Sequence, residues 1–128
     1  MRDVMLVGVG GFVGAVSRYY LSGLVLHLSA ASRVPWATLV VNTLGCLVIG
    51  VLAGSAELRH FLSPSARLFL FTGLLGGFTT FSSLMLDALT LWQAGSMAKA
   101  VANLIGQLVI GCLLIYLGYK LGLRTAGN

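Results

Sequence analysis

The chain has few charged residues: Lys, Arg, Asp and Glu together make up 9% of its 128 residues, whereas a soluble domain usually carries about 25%. Hydrophobic residues account for 58%, and the mean hydropathy is +0.98. The polar stretches between the apolar runs are too short to form an aqueous domain. This shortage of charge argues against a soluble protein and indicates a chain whose solvent is the lipid bilayer.

Acidic residues are the scarcest charged class, with three against eight basic residues and a net charge of +5. The basic residues are scattered and form no RNA-binding motif, so nucleic acid is not expected as a partner. Charges that set membrane topology or attract anions explain them better. The two cysteines, Cys46 and Cys112, fall in apolar spans, and we interpret them as small core residues rather than a disulfide or metal site.

Four apolar runs, at about 4–28, 35–53, 68–92 and 98–121, are each long enough to cross a hydrocarbon core about 30 Å thick, which takes about 20 residues. The connecting loops are short, which favours antiparallel neighbours. The first run is too long for a signal peptide, so we expect it to be retained. The sequence therefore predicts one all-α transmembrane domain over 1–128 with four spans.

Glycine is abundant, with 17 residues, and its spacing indicates closely packed helices. Gly10 and Gly14 form a small-xxx-small pair on the first span, and Gly50 and Gly54 form another on the second. Four helices with such thin seams leave little room for a pore inside one subunit. We therefore expect any polar pathway to run between the subunits of a homodimer.

The third apolar run is interrupted at its centre, in the stretch from Gly73 to Ser83. Three glycines and four hydroxyl residues are crowded there. Glycine loosens a helix, and at membrane depth a broken helix persists only where it is buried in protein or lines a polar cavity. Broken helices often form the ion or substrate site of a transporter, so this stretch is the first candidate for function.

Polar side chains recur at helical spacing on two other spans. Thr38 and Asn42 lie four residues apart on the second span, as do Asn103 and Gln107 on the fourth. Amides are costly in hydrocarbon unless they are hydrogen-bonded, so both stripes should face protein or water. The pattern leaves two interpretations open: hydrogen bonds between helices, or a polar track whose amide and hydroxyl groups bind a dehydrating anion.

Charged and aromatic residues within the spans also allow two interpretations each. Arg18 either extends to an interface or lends positive potential to an anion vestibule. Asp87 either pairs with Arg18 or caps a helix end. Phe81 is most simply a core residue, although a ring edge carries positive charge that suits an anion.

Three motifs resemble those of the Fluc (CrcB-like) fluoride channels of bacteria, and the resemblance covers nearly the whole chain. The segment from Gly11 to Tyr19 resembles the family's GxxGAxxRy, the segment from Trp36 to Gly45 resembles its GTLxVN, and the segment from Gly73 to Ser83 resembles its GxxGGxTTFS. The third motif is the most specific of the set.

The resemblance implies a fluoride channel of the bacterial cytoplasmic membrane that exports fluoride passively and is not an enzyme. It implies an antiparallel, dual-topology homodimer with two pores at the subunit interface. It also implies a central structural sodium ion held by the backbone carbonyls of Gly76 and Thr79. The positions that match pore or polar-track residues of the family are Asn42, Thr80, Phe81, Ser82, Ser83 and Gln107.

Two positions depart from the family pattern. Leu84 stands where the family has its second pore phenylalanine, and leucine has no positive ring edge to offer an anion. Asp87 stands where the family commonly has Glu, which is a milder change. We expect Phe81 alone to supply the aromatic contact, with the neighbouring Met85 as a residue that compensates.

Other functional classes fit less well. A proton-coupled small multidrug exporter needs a carboxylate within the first span, which has none past Asp3. A non-transporting assembly subunit would explain the glycines but not the polar break, and the sequence has no paired catalytic residues that would indicate an enzyme.

Basic residues number five on the side of both termini and two on the other. This bias favours cytoplasmic termini and is in tension with dual topology.

Overall fold

The computed structural model describes residues 1–29, 34–59 and 62–127. In chain order these residues form α1 (Arg2–Leu28), α2 (Trp36–Arg59), α3 (Pro64–Arg67), a π-helical segment (Leu68–Leu75), α4 (Gly76–Phe78), α5 (Phe81–Gln93) and α6 (Met97–Gly127). The stretches that are long and apolar enough to cross a membrane are Arg2–Leu28, Trp36–Glu57, Pro64–Gln93 and Met97–Thr125. The predicted all-helical, four-span architecture is confirmed for the described part of the chain.

The second helix is longer than its apolar run. It continues to Arg59, past the predicted end near Ala53, because Ala, Leu, Glu and Arg are good helix formers even where they are no longer membrane-like. The predicted loop from Gly54 to Arg67 is correspondingly shorter. Its end is helical, and Ser63 caps this helix by accepting a hydrogen bond from the Ala66 N–H at 3.2 Å. The rest of that loop, residues 60–61, lies outside the described residues, as does most of the predicted first loop, at 30–33.

The first half of the third span packs against α1 with backbone in contact with backbone. A Cβ on Gly14 would collide with the Leu74 carbonyl, and a Cβ on Gly73 would lie 3.0 Å from the Gly10 Cα. The close helix packing predicted from the glycine spacing is therefore present, and this contact requires small residues on both helices. Over Leu68–Leu75 this half is π-helical, which accommodates about one more residue per turn than an α-helix would.

The second half of the third span changes partner. Ala88 and Leu91 of α5 form a buried cluster with Ala100 of α6, and the turn between the two helices uses Gly95 at a φ of 72°, a conformation that glycine adopts without strain. The other long seam joins α2 to α6, where Gly50 faces the carbonyl of Ile115. The break therefore separates a segment packed on α1 from one packed on α6.

The outer surface is rich in large apolar side chains. Phe12, Leu108 and Leu117 are each more than half exposed. Water would make such a surface prone to aggregation, whereas lipid tails solvate it. The exposed surface therefore agrees with the membrane assignment of the four spans.

Candidate ion site at the break in the third span

The predicted break consists of two extended residues, Thr79 (φ −82°, ψ 155°) and Thr80 (φ −148°, ψ 115°). The Thr79 N–H still completes the first half by donating to the Leu75 carbonyl at 3.0 Å. The Thr80 hydroxyl starts the second half by accepting from the Ser83 N–H at 3.3 Å. A helix end with unpaired carbonyls and a helix start with unpaired N–H groups therefore meet at the middle of the span.

Asn42 holds the backbone of the break from the neighbouring helix. Its Oδ1 accepts from the Thr80 N–H at 2.9 Å, and its Nδ2 donates to the Thr80 carbonyl at 3.2 Å. In an unbroken helix the Thr80 N–H would bond to the Gly76 carbonyl. Because that N–H is diverted to Asn42, the Gly76 carbonyl loses its intrahelical donor and becomes available to a ligand.

A chain of amides continues from Asn42 into α6. Asn42 Nδ2 also donates to Gln107 Oε1 at 3.0 Å, and Gln107 Nε2 donates to Asn103 Oδ1 at 3.0 Å. Gln107 and Asn103 are only 6% and 8% exposed. The interhelical hydrogen bonds that the sequence left as one interpretation are thus present, and they occupy both amide hydrogens of Asn42.

A cavity of about 270 Å³, here called the polar cavity, lies between α1, α2 and the break. Arg18, Thr38, Thr80 and Ser83 are among the residues that line it. The Arg18 Nε is buried without a hydrogen-bond partner in the described part of the chain. The guanidinium and the N-terminus of α5 both give this cavity a positive potential.

A second opening of about 360 Å³, here called the apolar groove, lies on the opposite side of the break. Phe81, which is 68% exposed, and Leu84, which is 5% exposed, contribute to its wall. Thr80 lines both openings. The other predicted site residues in this groove are Asn42, Gly76, Thr79 and Gln107.

The structure therefore divides the predicted site residues into two groups that meet at Thr80, and Ser82 lines neither opening. Its hydroxyl lies 3.2 Å from that of Thr80. Asp87 forms no ion pair with Arg18 among the described residues, and its Oδ2 is buried without a partner there. Ser22 also lines the polar cavity and was not predicted, although it lies one helical turn from Arg18.

Cys46 and Cys112 form no disulfide and are both free. The prediction that both are core residues is wrong for this subunit, because Cys46 is half-buried and Cys112 is exposed on the apolar outer surface. The described residues contain no group of three or more His, Cys, Asp or Glu that could hold a metal ion. A transition-metal site is therefore not formed by the described side chains, and any cation at the break must rely on carbonyl and hydroxyl oxygen atoms.

Four apolar spans, a helix broken at the middle of its span and a cationic cavity beside the break define a small multi-pass membrane protein with a candidate ion site. The sequence profile of the family described as "CrcB-like protein, Camphor Resistance (CrcB)" matches residues 5–119. The chain therefore belongs to the CrcB-like family, as its motifs indicated.

Named relatives extend this assignment. The chain is 49% identical over 121 residues to the "Fluoride-specific ion channel FluC" of Methylobacillus flagellatus, with 94% of each chain covered. It is 47% identical over 127 residues to a protein of the same name from Thermus thermophilus, with 99% of this chain and 100% of the relative covered. A third relative of that name, from Chlorobium chlorochromatii, is 44% identical over 115 residues, which is 90% of this chain and 88% of the relative.

Proposed function

We propose that the protein is a fluoride-selective channel that exports fluoride passively across the bacterial cytoplasmic membrane. Its relatives carry the name of a fluoride-specific channel, which also agrees with the prediction that it is not an enzyme. The observation that carries the proposal is the break at Thr79 and Thr80, held by Asn42 and flanked by the cationic polar cavity. Fluoride is small and strongly hydrated, so a path for it must offer hydrogen-bond donors in place of water.

The proposed path begins at the polar cavity. Arg18 attracts the anion there, and the hydroxyls of Thr38 and Ser83 replace part of its water shell. Thr80 connects this cavity to the apolar groove, where the edge of the exposed Phe81 ring and the Asn42 amide follow. Both amide hydrogens of Asn42 are already hydrogen-bonded. A passing anion therefore replaces Gln107 Oε1 as the acceptor of one of them.

The working unit is proposed to be an antiparallel, dual-topology homodimer with a pore on each side of the interface. Support comes from the apolar groove, which leaves polar backbone around Gly76 and Thr79 open at mid-membrane. Lipid does not satisfy such groups, so protein must cover them, and a second copy would bring the same broken helix. Dual insertion can be tested with Ser96→Cys, which places a thiol in the turn between α5 and α6. A membrane-impermeant thiol reagent added to one side of the membrane should label about half of the molecules, whichever side it is added to.

A structural sodium ion is proposed to be bound between the two breaks. The freed Gly76 carbonyl and the terminal Thr79 carbonyl are hard oxygen ligands of the kind sodium prefers, and a second copy doubles their number. When bound, the ion would neutralise the negative carboxyl-terminal helix ends at which the first half of the third span finishes in each subunit. Purification with a large organic cation in place of sodium should weaken the dimer, as measured by thermal stability and sizing, and unchanged stability would contradict this site.

The test of the function is fluoride efflux from liposomes that contain the purified protein, with chloride as the comparison ion. With an ionophore that lets potassium leave and balance the charge, a passive fluoride channel should release fluoride along its gradient at a rate that does not depend on a proton gradient, and should leave chloride inside. Efflux that requires a proton gradient would favour the multidrug-type exporter. No efflux of either ion from a correctly folded protein would favour an assembly subunit.

A further inference from the structure

One face of the first half of the third span is open and changes from charged to apolar towards the break. The residues that line a cavity of about 510 Å³ at its outer end, here called the outer cavity, are Leu62, Pro64, Arg67, Leu68, Phe71 and Thr72. All but Leu62 recur at helical spacing and so share one face of the helix. Packing on α1 uses another face, through Gly73. Because Arg67 and Thr72 are exposed, the face at the outer cavity is free to contact what surrounds the subunit.

The length of the third span places the outer cavity at the level of the lipid headgroups. The span Pro64–Gln93 has 30 residues, which extend over about 45 Å at about 1.5 Å per residue. A bilayer with its headgroup regions is about 40–45 Å thick, whereas its hydrocarbon core is about 30 Å thick. The first turn of the span, which holds Arg67, therefore lies among headgroups, and Phe71 lies at the depth where the acyl chains begin.

The charge of Arg67 is not neutralised by the protein. Its guanidinium lies 5.6 Å from the centre of the Phe71 ring, and it forms no ion pair with any described residue. No acidic residue is among those described as lining the outer cavity. A second, antiparallel copy would not supply the missing charge, because the loops at the other end of the chain, together with the start of α6, hold Arg33 and Lys99 and no acid. The guanidinium fork suits a phosphate, which it binds with two parallel hydrogen bonds.

Thr72 offers a hydrogen-bond donor at a greater depth than this charge. Its hydroxyl forms no hydrogen bond with the described residues, whereas the exposed Thr90 in the second half of the span donates to the Leu86 carbonyl at 2.9 Å. Thr72 follows Arg67 by five residues, which is about 7.5 Å along the helix axis. The ester carbonyls of a phospholipid lie at the inner edge of the headgroup region, which is about 5–7 Å thick in each leaflet. The two side chains are therefore spaced to reach the phosphate and an ester carbonyl of one lipid.

We propose that the outer cavity binds one anionic phospholipid, of the phosphatidylglycerol class, on each subunit. Arg67 pairs with the phosphate, Thr72 donates to an ester carbonyl, and an acyl chain follows Phe71 towards the apolar groove, whose wall Phe71 also forms. A zwitterionic lipid would bring a second cation to a cavity that has no acid to receive it.

The inference depends on the membrane placement of the third span and not on fluoride conduction. Arg67 and Thr72 line neither of the two openings at the break, so the lipid site is separate from the proposed anion path. A protein that binds the lipid as expected but releases no fluoride would therefore contradict the channel alone.

The first experiment measures lipid binding to the purified full-length protein by native mass spectrometry, with phosphatidylglycerol and phosphatidylcholine of identical chains. Wild type should bind one phosphatidylglycerol per subunit about tenfold more tightly than phosphatidylcholine, and Arg67→Gln should lose this preference. Arg124→Gln is the matched control, because Arg124 is an exposed arginine in the last turn of α6 and should leave the preference intact. Equal binding of the two lipids by wild type, or equal losses in the two variants, would overturn the proposal.

Two further arms of this experiment separate other occupants of the same face. Inorganic phosphate at millimolar concentration should not displace the lipid, since it has no acyl chain to pack against Phe71. Displacement by phosphate would show a site for a soluble anion instead. A dimer that binds neither lipid would show that the second copy covers this face. Either of these two results would overturn the lipid site.

The second experiment tests the depth of the lipid with Thr72→Val, which keeps the shape of the side chain and removes the hydroxyl. It should weaken binding of ester-linked phosphatidylglycerol about threefold and leave binding of the ether-linked analogue, which has no ester carbonyl, unchanged. Thr90→Val is the matched control, because that hydroxyl is already bonded within its own helix. If Thr72→Val weakens both lipids equally, or neither, Thr72 does not contact the ester and the proposed placement of the lipid is wrong.

Discussion

The polar cavity and the apolar groove lie on opposite sides of the same break and share Thr80, but their walls differ in kind. The polar cavity has a guanidinium and hydroxyls, whereas the groove has aromatic and aliphatic side chains around backbone carbonyls. In the proposed path, the charge that attracts the anion and the ring edge that contacts it later therefore lie on different elements. α1 supplies the charge, α5 supplies the ring, and Asn42 on α2 holds the backbone at the junction.

The largest effect is expected where the two openings meet. Asn42→Asp should reduce fluoride flux by about a hundredfold or more, because the carboxylate repels the anion and no longer donates to the Thr80 carbonyl or to Gln107. Fluoride efflux from liposomes measures the flux, and size-exclusion chromatography checks that the variant forms the folded dimer. Thr43→Val is the control, since among the described residues the Thr43 hydroxyl donates to carbonyls of its own helix and to no other element. Normal flux through folded Asn42→Asp would remove Asn42 from the path.

The groove is tested by Phe81→Ile. Loss of the ring edge should slow fluoride efflux by about tenfold, because Leu84 offers no second aromatic contact. Phe12→Ile is the matched control, as Phe12 is similarly exposed, at 69%, on α1. If both variants conduct like the wild type, aromatic edges do not act here, and the hydroxyl and amide donors carry permeation alone.

The polar cavity is tested by Arg18→Gln, which should lower efflux several-fold at low fluoride and less at high fluoride, since the charge acts by concentrating the anion. Raising the ionic strength should shrink the difference between variant and wild type, because salt screens the potential. Arg67→Gln serves as control, because Arg67 stacks on Phe71 at the start of the third span. An Arg18→Gln defect that is independent of fluoride concentration would point to a structural role instead.

The smallest effect is expected at Leu84. Leu84→Phe should keep efflux within about twofold of the wild type or raise it, because it adds a ring edge while every amide and hydroxyl donor stays in place. Leu86→Phe, on an exposed position of the same helix, adds the same ring outside the groove and controls for the effect of the substitution on the helix itself. A strong loss of flux in Leu84→Phe alone would show that this groove is shaped around leucine.

The break could be predicted from the sequence because glycine and hydroxyl residues crowded into an apolar run disfavour a continuous helix. The resemblance to the family, rather than residue spacing, grouped Asn42, Thr80 and Gln107, and the structure joins them by hydrogen bonds. The π-helical segment could not be predicted, because Leu68–Leu75 is almost uniformly apolar and marks no face. Nor could Thr38 be separated from Asn42: both lie on one face of α2, yet they line different openings.

The π-helical segment has a consequence for how this chain tolerates deletions. A π-helical turn holds about one residue more than an α-helical turn. Removing one residue from Leu68–Leu75, before Gly73, would therefore let the segment tighten to an α-helix while Thr80 keeps nearly the same direction towards Asn42. The same deletion inside α5 would turn every later residue by about 100° about the helix axis and pull Leu91 away from α6. A single-codon deletion should thus be accepted more readily before the break than after it.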